Sequence, residues 1–289
     1  MDVLSDAVTA ARTGRPHAGR VIRKTPFADS VPAGEGAAFH VVLQGSCLLL
    51  PPDAEPVPLT VGDVAFLPRA AAHGLTACPS APPGGTTVLL SGGCPMDVDR
   101  AHPLLAELPE LLHLPAKVGR DPGLHAAVDL LGQELDAPGP GGDAALPALL
   151  DLLLLYLLRD WLAGRPGGWA AALRDPAVAA ALRAVHADPA RPWSVEELGR
   201  RGGLSRAAFA RRFAALVGRP PLAYLTWWRL TTAARLLRDT DAPLTAIAAQ
   251  VGYGSEPALA HAFKREYGLA PGAYRRAATT RTPAPAARP

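Results

Sequence analysis

The sequence predicts an α+β protein with a β-rich front, a helical middle and an all-α C-terminal part. Three observations predict it: an internal repeat near the C-terminus, strand-length runs broken by turn residues in the first third, and opposite charge at the two ends. The 289 residues are 49% hydrophobic and 19% charged, a globular balance with length for two domains.

The repeat has an offset of fifty. Ser205 matches Ser255, Ala208 matches Ala258, Phe209 matches Leu259 and Ala210 matches Ala260. Phe213 then matches Phe263, Gly218 matches Gly268, Pro221 matches Pro271 and Tyr224 matches Tyr274. So many coincidences at one period mark a duplicated unit. Each copy reads as a Ser N-cap, an apolar face at helical spacing, a Gly that stops the helix and a Pro that opens the next.

A shorter helix precedes each Ser. Ser194-Val-Glu-Glu197 has the form of a capping box, with Val195 and Leu198 on the buried side. Pro243-Leu244 opens the equivalent helix through Ile247 and Val251. Arg201-Gly-Gly-Leu204 and Gly252-Tyr253-Gly254 are the turns. Two helices joined by such a turn form a helix-turn-helix unit, whose second helix can lie in a DNA major groove. Between the units, Leu222 to Arg238 is predicted as one amphipathic helix, roughly 25 Å long. A strut of that length can hold two recognition helices about one DNA turn apart. The alternative is a helical bundle whose repeats only pack.

Charge favours the DNA-facing reading. Between Arg191 and Arg276 there are 14 basic residues against 6 acidic, a net of +8, whereas residues 1–190 hold 13 against 20, a net of −7. A basic third behind an acidic front is the electrostatic footprint of a nucleic-acid-binding module fused to something else. The basic side chains neutralise phosphates and give affinity without sequence information.

Pro221-Leu-Ala-Tyr224-Leu225-Thr-Trp-Trp228-Arg229-Leu230, Ile247-Ala-Ala-Gln-Val251-Gly252-Tyr253-Gly254-Ser255 and Phe263-Lys-Arg-Glu-Tyr-Gly268-Leu-Ala-Pro271-Gly-Ala-Tyr274-Arg275-Arg276 closely resemble the signature of AraC/XylS-type transcription regulators. The resemblance implies two tandem helix-turn-helix units in one chain, spanning residues 174–276. It implies that Arg206, Ala207, Ala210 and Arg211 of the first recognition helix face DNA, with Glu256, Pro257, Ala260 and His261 of the second. The chain departs from the pattern at His261, where Arg is usual, and at Pro257, a position often polar. The first unit is therefore expected to be the main reader.

In the front third, Phe39–Leu43, Ser46–Leu50, Val57–Leu59, Val64–Leu67 and Thr86–Leu90 read as strands of an antiparallel sandwich or barrel. Val42-Leu-Gln-Gly45, Val61-Gly-Asp63 and Pro68-Arg-Ala-Ala-Ala-His73 resemble the motifs of a cupin β-barrel, the effector domain that precedes the DNA-binding part in many such regulators. His102-Pro-Leu-Leu105 with Leu108-Pro109 resembles the sequel to that barrel in one subfamily. The cupin-like domain is expected over residues 1–103. His73 falls on a metal-ligand position of the second motif, while the first motif lacks its His-x-His and Glu and leaves His40 nearby. Strand parity puts His40, Val42 and Gln44 on one face, so His40 and His73 could meet inside. Cys47 or Cys94 could add a thiolate, and zinc wants about four N or S ligands. The candidates are thus an effector pocket, a zinc or thiol site, or two histidines that satisfy a polar spot.

Residues 104–165 form the expected helical connector. Leu124–Leu135 and Leu146–Trp161 are its helices, parted by Pro138-Gly-Pro-Gly-Gly142. The second is apolar on nearly all sides and must be buried, against the barrel or against a partner chain in a homodimer. Its apolar run, Ala144–Leu158, is too short for a membrane span, which needs about 20 residues. Residues 277–289 are expected to be a disordered tail. Met1–Arg20 lacks an apolar run of signal-peptide length, so export is not expected, and three cysteines in a cytoplasmic chain predict no structural disulfide.

These readings predict a sequence-specific transcription regulator, not an enzyme: a cytoplasmic, homodimeric activator that binds double-stranded DNA and a small-molecule effector, with RNA polymerase as a further partner. The rival is a small-molecule-binding cupin enzyme with an accessory helical domain.

Overall fold

The computed structural model describes residues 2–98, 102–116, 122–137 and 139–280. They fall into two compact units. One runs from Ala11 to Gly164; the other joins residues 165 onward to the N-terminal segment up to Ala10.

The first unit carries two antiparallel sheets. Their strands are β1 (His17–Lys24), β2 (Ala28–Val31), β3 (Ala37–Gln44), β4 (Ser46–Leu50), β5 (Val57–Thr60), β6 (Val64–Leu67), β7 (His73–Ala77), β8 (Thr86–Cys94) and β9 (Leu112–Leu114). The order is β1-β8-β3-β6-β9 in one sheet and β2-β7-β4-β5 in the other. Val42, Ala65, Leu67 and Leu89 of the first sheet pack with Cys47, Leu49, Leu59 and Leu75 of the second. The five expected strands are all present. β1 escaped prediction because an edge strand need not be apolar: it carries Arg20, Arg23 and Lys24 and alternates exposed with half-buried positions.

Helix α1 (Val3–Ala11) precedes β1, and α2 (Pro103–Ala106), α3 (Pro122–Asp136) and α4 (Gly142–Ala163) follow the last long strand. The connector does not stand apart from the sheets. α3 and α4 lie in the same unit as the strands, and β9, inside the expected connector, pairs with β6 and extends the sheet. On α4, Leu150, Leu153, Leu154, Leu157, Leu158, Trp161 and Leu162 are buried. Leu152 and Leu155 are half-buried, between exposed Ala148 and Arg159. Among the described residues, no helix is long and apolar enough to cross a membrane.

The second unit is helical: α5 (Gly168–Arg174), α6 (Pro176–Ala187), α7 (Val195–Arg201), α8 (Arg206–Val217), α9 (Pro221–Asp239), α10 (Leu244–Gln250), α11 (Glu256–Tyr267) and α12 (Pro271–Thr280). The repeat is physical as well as textual. Ser205 accepts from Ala208 N and Ser255 from Ala258 N, each at 3.4 Å. Gly218 and Gly268 end α8 and α11 in the left-handed region at φ 78° and 74°, where a side chain would strain the backbone. Phe209, Phe213, Leu259 and Phe263 are all buried at matching positions.

Two expectations change. The Ser194 hydroxyl accepts from Glu197 N at 3.1 Å, but the Glu197 carboxylate pairs with Arg191 instead of returning to the cap, so only half of a capping box forms. α12 continues through residues 277–280, which the sequence assigned to a disordered tail. Residues 281–289 lie outside the described residues.

Gly252 opens the turn of the second helix-turn-helix at φ +81°, and a Cβ there would sit 2.6 Å from the carbonyl oxygen of Ala190. Replacing Gly252 by Ala should destabilise this unit by about 1–2 kcal/mol from left-handed strain, and by more if Ala190 cannot yield. Denaturant unfolding followed by helix-unit fluorescence checks this. Gly254, with open space around its Cβ position, should tolerate Ala better.

Candidate nucleic-acid interface and buried histidine pair

The Ser N-cap sets the start of α8, and Phe209, Phe213 and Val217 turn one side of it inward. The opposite side carries Arg206, Ala207 and Arg211, all exposed, and half-buried Ala210. Spacing of one, four and five residues places these four on one face. α11 repeats the arrangement. Leu259, Ala262 and Phe263 face inward, Glu256, Pro257 and His261 are exposed, and Ala260 is half-buried. Pro257 sits in the first turn, where a missing N–H costs nothing, so it keeps the helix while giving that face no polar side chain.

The neighbouring Arg212 is occupied otherwise. Its guanidinium donates to the Asp175 carboxylate, and Asp175 caps α6 by accepting from Ala177 N at 3.1 Å and Val178 N at 2.9 Å. Sequence reasoning missed this tie, although Asp175-Pro176 is a legible cap-and-proline start. Arg211 instead borders a groove of about 810 Å³ together with Arg174, Leu204 and Ala208.

In the sheet unit, β3 and β7 bring His40 and His73 together. Their Nε2 atoms lie 2.8 Å apart, and both residues are buried. His73 Nδ1–H donates to the Ala71 carbonyl at 2.7 Å, which leaves His73 Nε2 as an acceptor. His40 Nε2–H must then donate, and His40 Nδ1 accepts from the Ser91 hydroxyl at 2.8 Å. Ser91, on β8, was not anticipated, and no motif in the sequence marks it. Burial first, and the neighbouring His73 second, push the His40 pKa down to about 3.

Cys47 and Cys94 do not join the pair. Among the described residues, no three His, Cys, Asp or Glu side chains are grouped to hold a metal. Cys47 lies in the apolar core between the sheets. Burial foremost pushes both thiols up to about 12, so neither supplies a thiolate near neutral pH. Two imidazoles whose acceptor nitrogens are already engaged do not make the four-ligand set that resident zinc requires. The candidate zinc or thiol site is therefore not assembled from these four residues.

A duplicated helix-turn-helix with basic exposed positions, in a chain that also carries a sandwich of antiparallel sheets, defines a DNA-binding regulatory protein. Residues 2–163 match the family model described as Cupin, and residues 198–277 match that described as Helix-turn-helix domain. A putative AraC-like transcription regulator of Streptomyces antibioticus is 36% identical, over 96% of this chain and 99% of its own length. A second, from Streptomyces lividans, is 34% identical over 96% and 98%. The crystal structure of the DNA-binding domain of AdpA in complex with a target DNA matches at 36% identity, 38% of this chain and 97% of that one, with a TM-score of 0.35. The chain belongs to the AraC-type transcription regulators. It is a sequence-specific DNA-binding regulator, and its full-length relatives are named as regulators, not as enzymes.

The histidine pair makes a pH prediction. Above about pH 6.5 His40 is neutral in both folded and unfolded chains and contributes no pH dependence. As pH falls from 6.5 toward 3, the unfolded chain binds a proton that the folded one refuses, so stability is lost. By pH 5 the loss should reach about 2 kcal/mol. His186, also lowered chiefly by burial, adds a loss of the same sign in the helical unit. Protection factors of β3 and β8 amides, corrected for intrinsic exchange, isolate the His40 part: their fall between pH 6.5 and 5 should be smaller in His40→Gln by about that 2 kcal/mol.

Proposed function

We propose that the exposed faces of α8 and α11 enter successive major grooves, with Arg206, Ala207, Ala210 and Arg211 as the first reading set and Glu256, Pro257, Ala260 and His261 as the second. The observation that carries this reading is the repeated cap geometry: both helices start at a Ser cap, end at a left-handed Gly and flank one continuous helix, α9. An exposed Arg can grip a guanine edge with two hydrogen bonds, whereas Pro257 offers none and Glu256 repels phosphate. The first unit is the main reader on this account.

We also propose that the regulator responds to a small-molecule effector whose hydrogen-bonding group engages the His40–His73 pair, by replacing the bond between the two imidazoles. What supports this is a buried polar chain set in an otherwise apolar core. A purely structural role is favoured by the completeness of that chain, from Ser91 to the Ala71 carbonyl. Calorimetric screening of small polar compounds against wild type and His73→Asn separates the two, since only an effector site loses a binder. Activation through contact with RNA polymerase completes the proposal and is tested by transcription of a promoter carrying the selected site.

Selection of duplexes from a randomised pool by the full chain should return a preferred sequence about two major-groove turns long. Arg211→Ala should then lose about 1–3 kcal/mol on the selected duplex and relax one position. Equal loss on random DNA would make Arg211 a phosphate anchor. For the dimer, Leu130 on α3 is 45% exposed, and Leu152 and Leu155 of α4 are only half covered. Homodimerisation through this helical pair predicts that Leu130→Arg shifts micromolar protein from dimer to monomer in sedimentation. A monomeric parent chain overturns that part.

A further inference from the structure

The first helix of the chain belongs with the last hundred residues. Contacts group the segment up to Ala10 with residues 165 onward and not with the strands that follow it in sequence. α1 starts firmly, because the Asp2 carboxylate accepts from Ser5 N at 3.0 Å and from Ser5 Oγ at 2.7 Å. Val3, Leu4, Ala7 and Val8 are buried. Near its other end, Arg238 of α9 donates to the Ala10 carbonyl at 3.2 Å.

Between these points lies a buried hydrogen-bond chain. His186 of α6 meets the Asp6 carboxyl through Nδ1 at 3.0 Å and the Tyr224 hydroxyl of α9 through Nε2 at 2.7 Å. The His186 side chain is 0% exposed and that of Asp6 9%. The imidazole stacks on Trp228, ring centroids 3.9 Å apart at 17°. A neutral ring with Nδ1–H donating to the carboxyl and Nε2 accepting from the phenol satisfies all three groups. Tyr224 in turn packs against Phe213 of the first reading helix, at 5.8 Å between centroids.

We infer that α1 is a docked component of the DNA-reading unit, and that Asp6, acting through His186 and Tyr224, positions the first reading helix against α9. Asp6 and His186 are positioning residues in this account, remote from the reading faces. Removing the Asp6 carboxyl strands the His186 N–H in a dry site, which is costlier than losing an exposed hydrogen bond. The groups that answer are those on α6 and α9, the helices that seat the first helix-turn-helix. A reading unit cut out at residue 165 therefore lacks a member of its own core. The inference rests on the DNA reading only for the role of the docking, since the docking itself has an independent readout.

The test uses the full chain with Asp6→Ala, the shape-conserving Asp6→Asn, which retains an acceptor oxygen, and Thr9→Ala as a control on the exposed side of α1. Hydrogen exchange is read over α6, α8, α9 and the sheet strands. Affinity is read on a duplex selected from a randomised pool by the wild-type chain, and on a scrambled duplex. Asp6→Ala should speed exchange at least tenfold in α6 and the first turns of α9 while leaving the strands unchanged. It should weaken the selected duplex about tenfold and the scrambled one less than twofold, with Asp6→Asn and Thr9→Ala near wild type. Unchanged exchange in α6 and α9 overturns the docking, as does equal acceleration in both units. Normal discrimination between the duplexes despite faster exchange overturns the positioning role. If the wild type selects no duplex, the DNA reading has failed, and the exchange pattern still decides whether α1 is docked.

Discussion

The helical unit depends on α9 being buried on two sides at once. Tyr224, Leu225, Trp227 and Trp228 of its first half are buried, and Tyr224 meets Phe213 of α8. Leu230, Ala233, Ala234, Leu236 and Leu237 of its second half form one core with Ile247, Val251, Leu259 and Phe263. A single 19-residue helix is about 28 Å long, so two small helix-turn-helix units share one rigid spacer. Neither unit could bury a sufficient core alone; each borrows half of α9. That helix length is of the same order as the roughly 34 Å repeat of the major groove.

Buried imidazoles recur as the polar fasteners of both units. His40 links Ser91 to His73 in the sheets, and His186 links Asp6 to Tyr224 among the helices. Each uses one ring nitrogen as donor and the other as acceptor, so a neutral ring is the form that fits, and burial lowers the pKa of both. Such fully satisfied polar chains specify one arrangement of their elements more sharply than apolar contact does. They also make both units acid-sensitive in the same direction.

The elements that were legible are those whose residues carry local signals. Ser46–Leu50 and Val64–Leu67 coincide with β4 and β6 because turn residues bracket strongly apolar runs. α8 and α11 were legible through Ser caps and terminal glycines. β1, β2, β7 and β9 were not: β1, β2 and β9 are edge strands, which take their stability from pairing and tolerate charge or shortness, and the interior strand β7 (His73-Gly-Leu-Thr-Ala77) carries a single large apolar residue, Leu75. α1 was passed over because a nine-residue helix is marginal alone and gains its stability from what it packs against. At the candidate sites, strand parity and the Pro68-to-His73 interval brought His40 and His73 together, whereas Cys47 and Cys94, offered as optional thiolates from residue type alone, lie apart from the pair. Residue type says what a side chain could ligate, and not how deep in the core it is sunk.

The family, the duplicated helix-turn-helix units, their exposed faces and the opposition of acidic front to basic end were determined by sequence alone, because periodicity, caps and charge are local properties that survive without coordinates. Tertiary structure decided the rest. It placed Ser91 beside His40, diverted Arg212 to Asp175, attached α3 and α4 to the sheets, and returned the first helix to the last domain through Asp6 and His186. Each of these joins residues far apart in the chain, and the buried hydrogen bonds that make them have no period, spacing or composition to announce them.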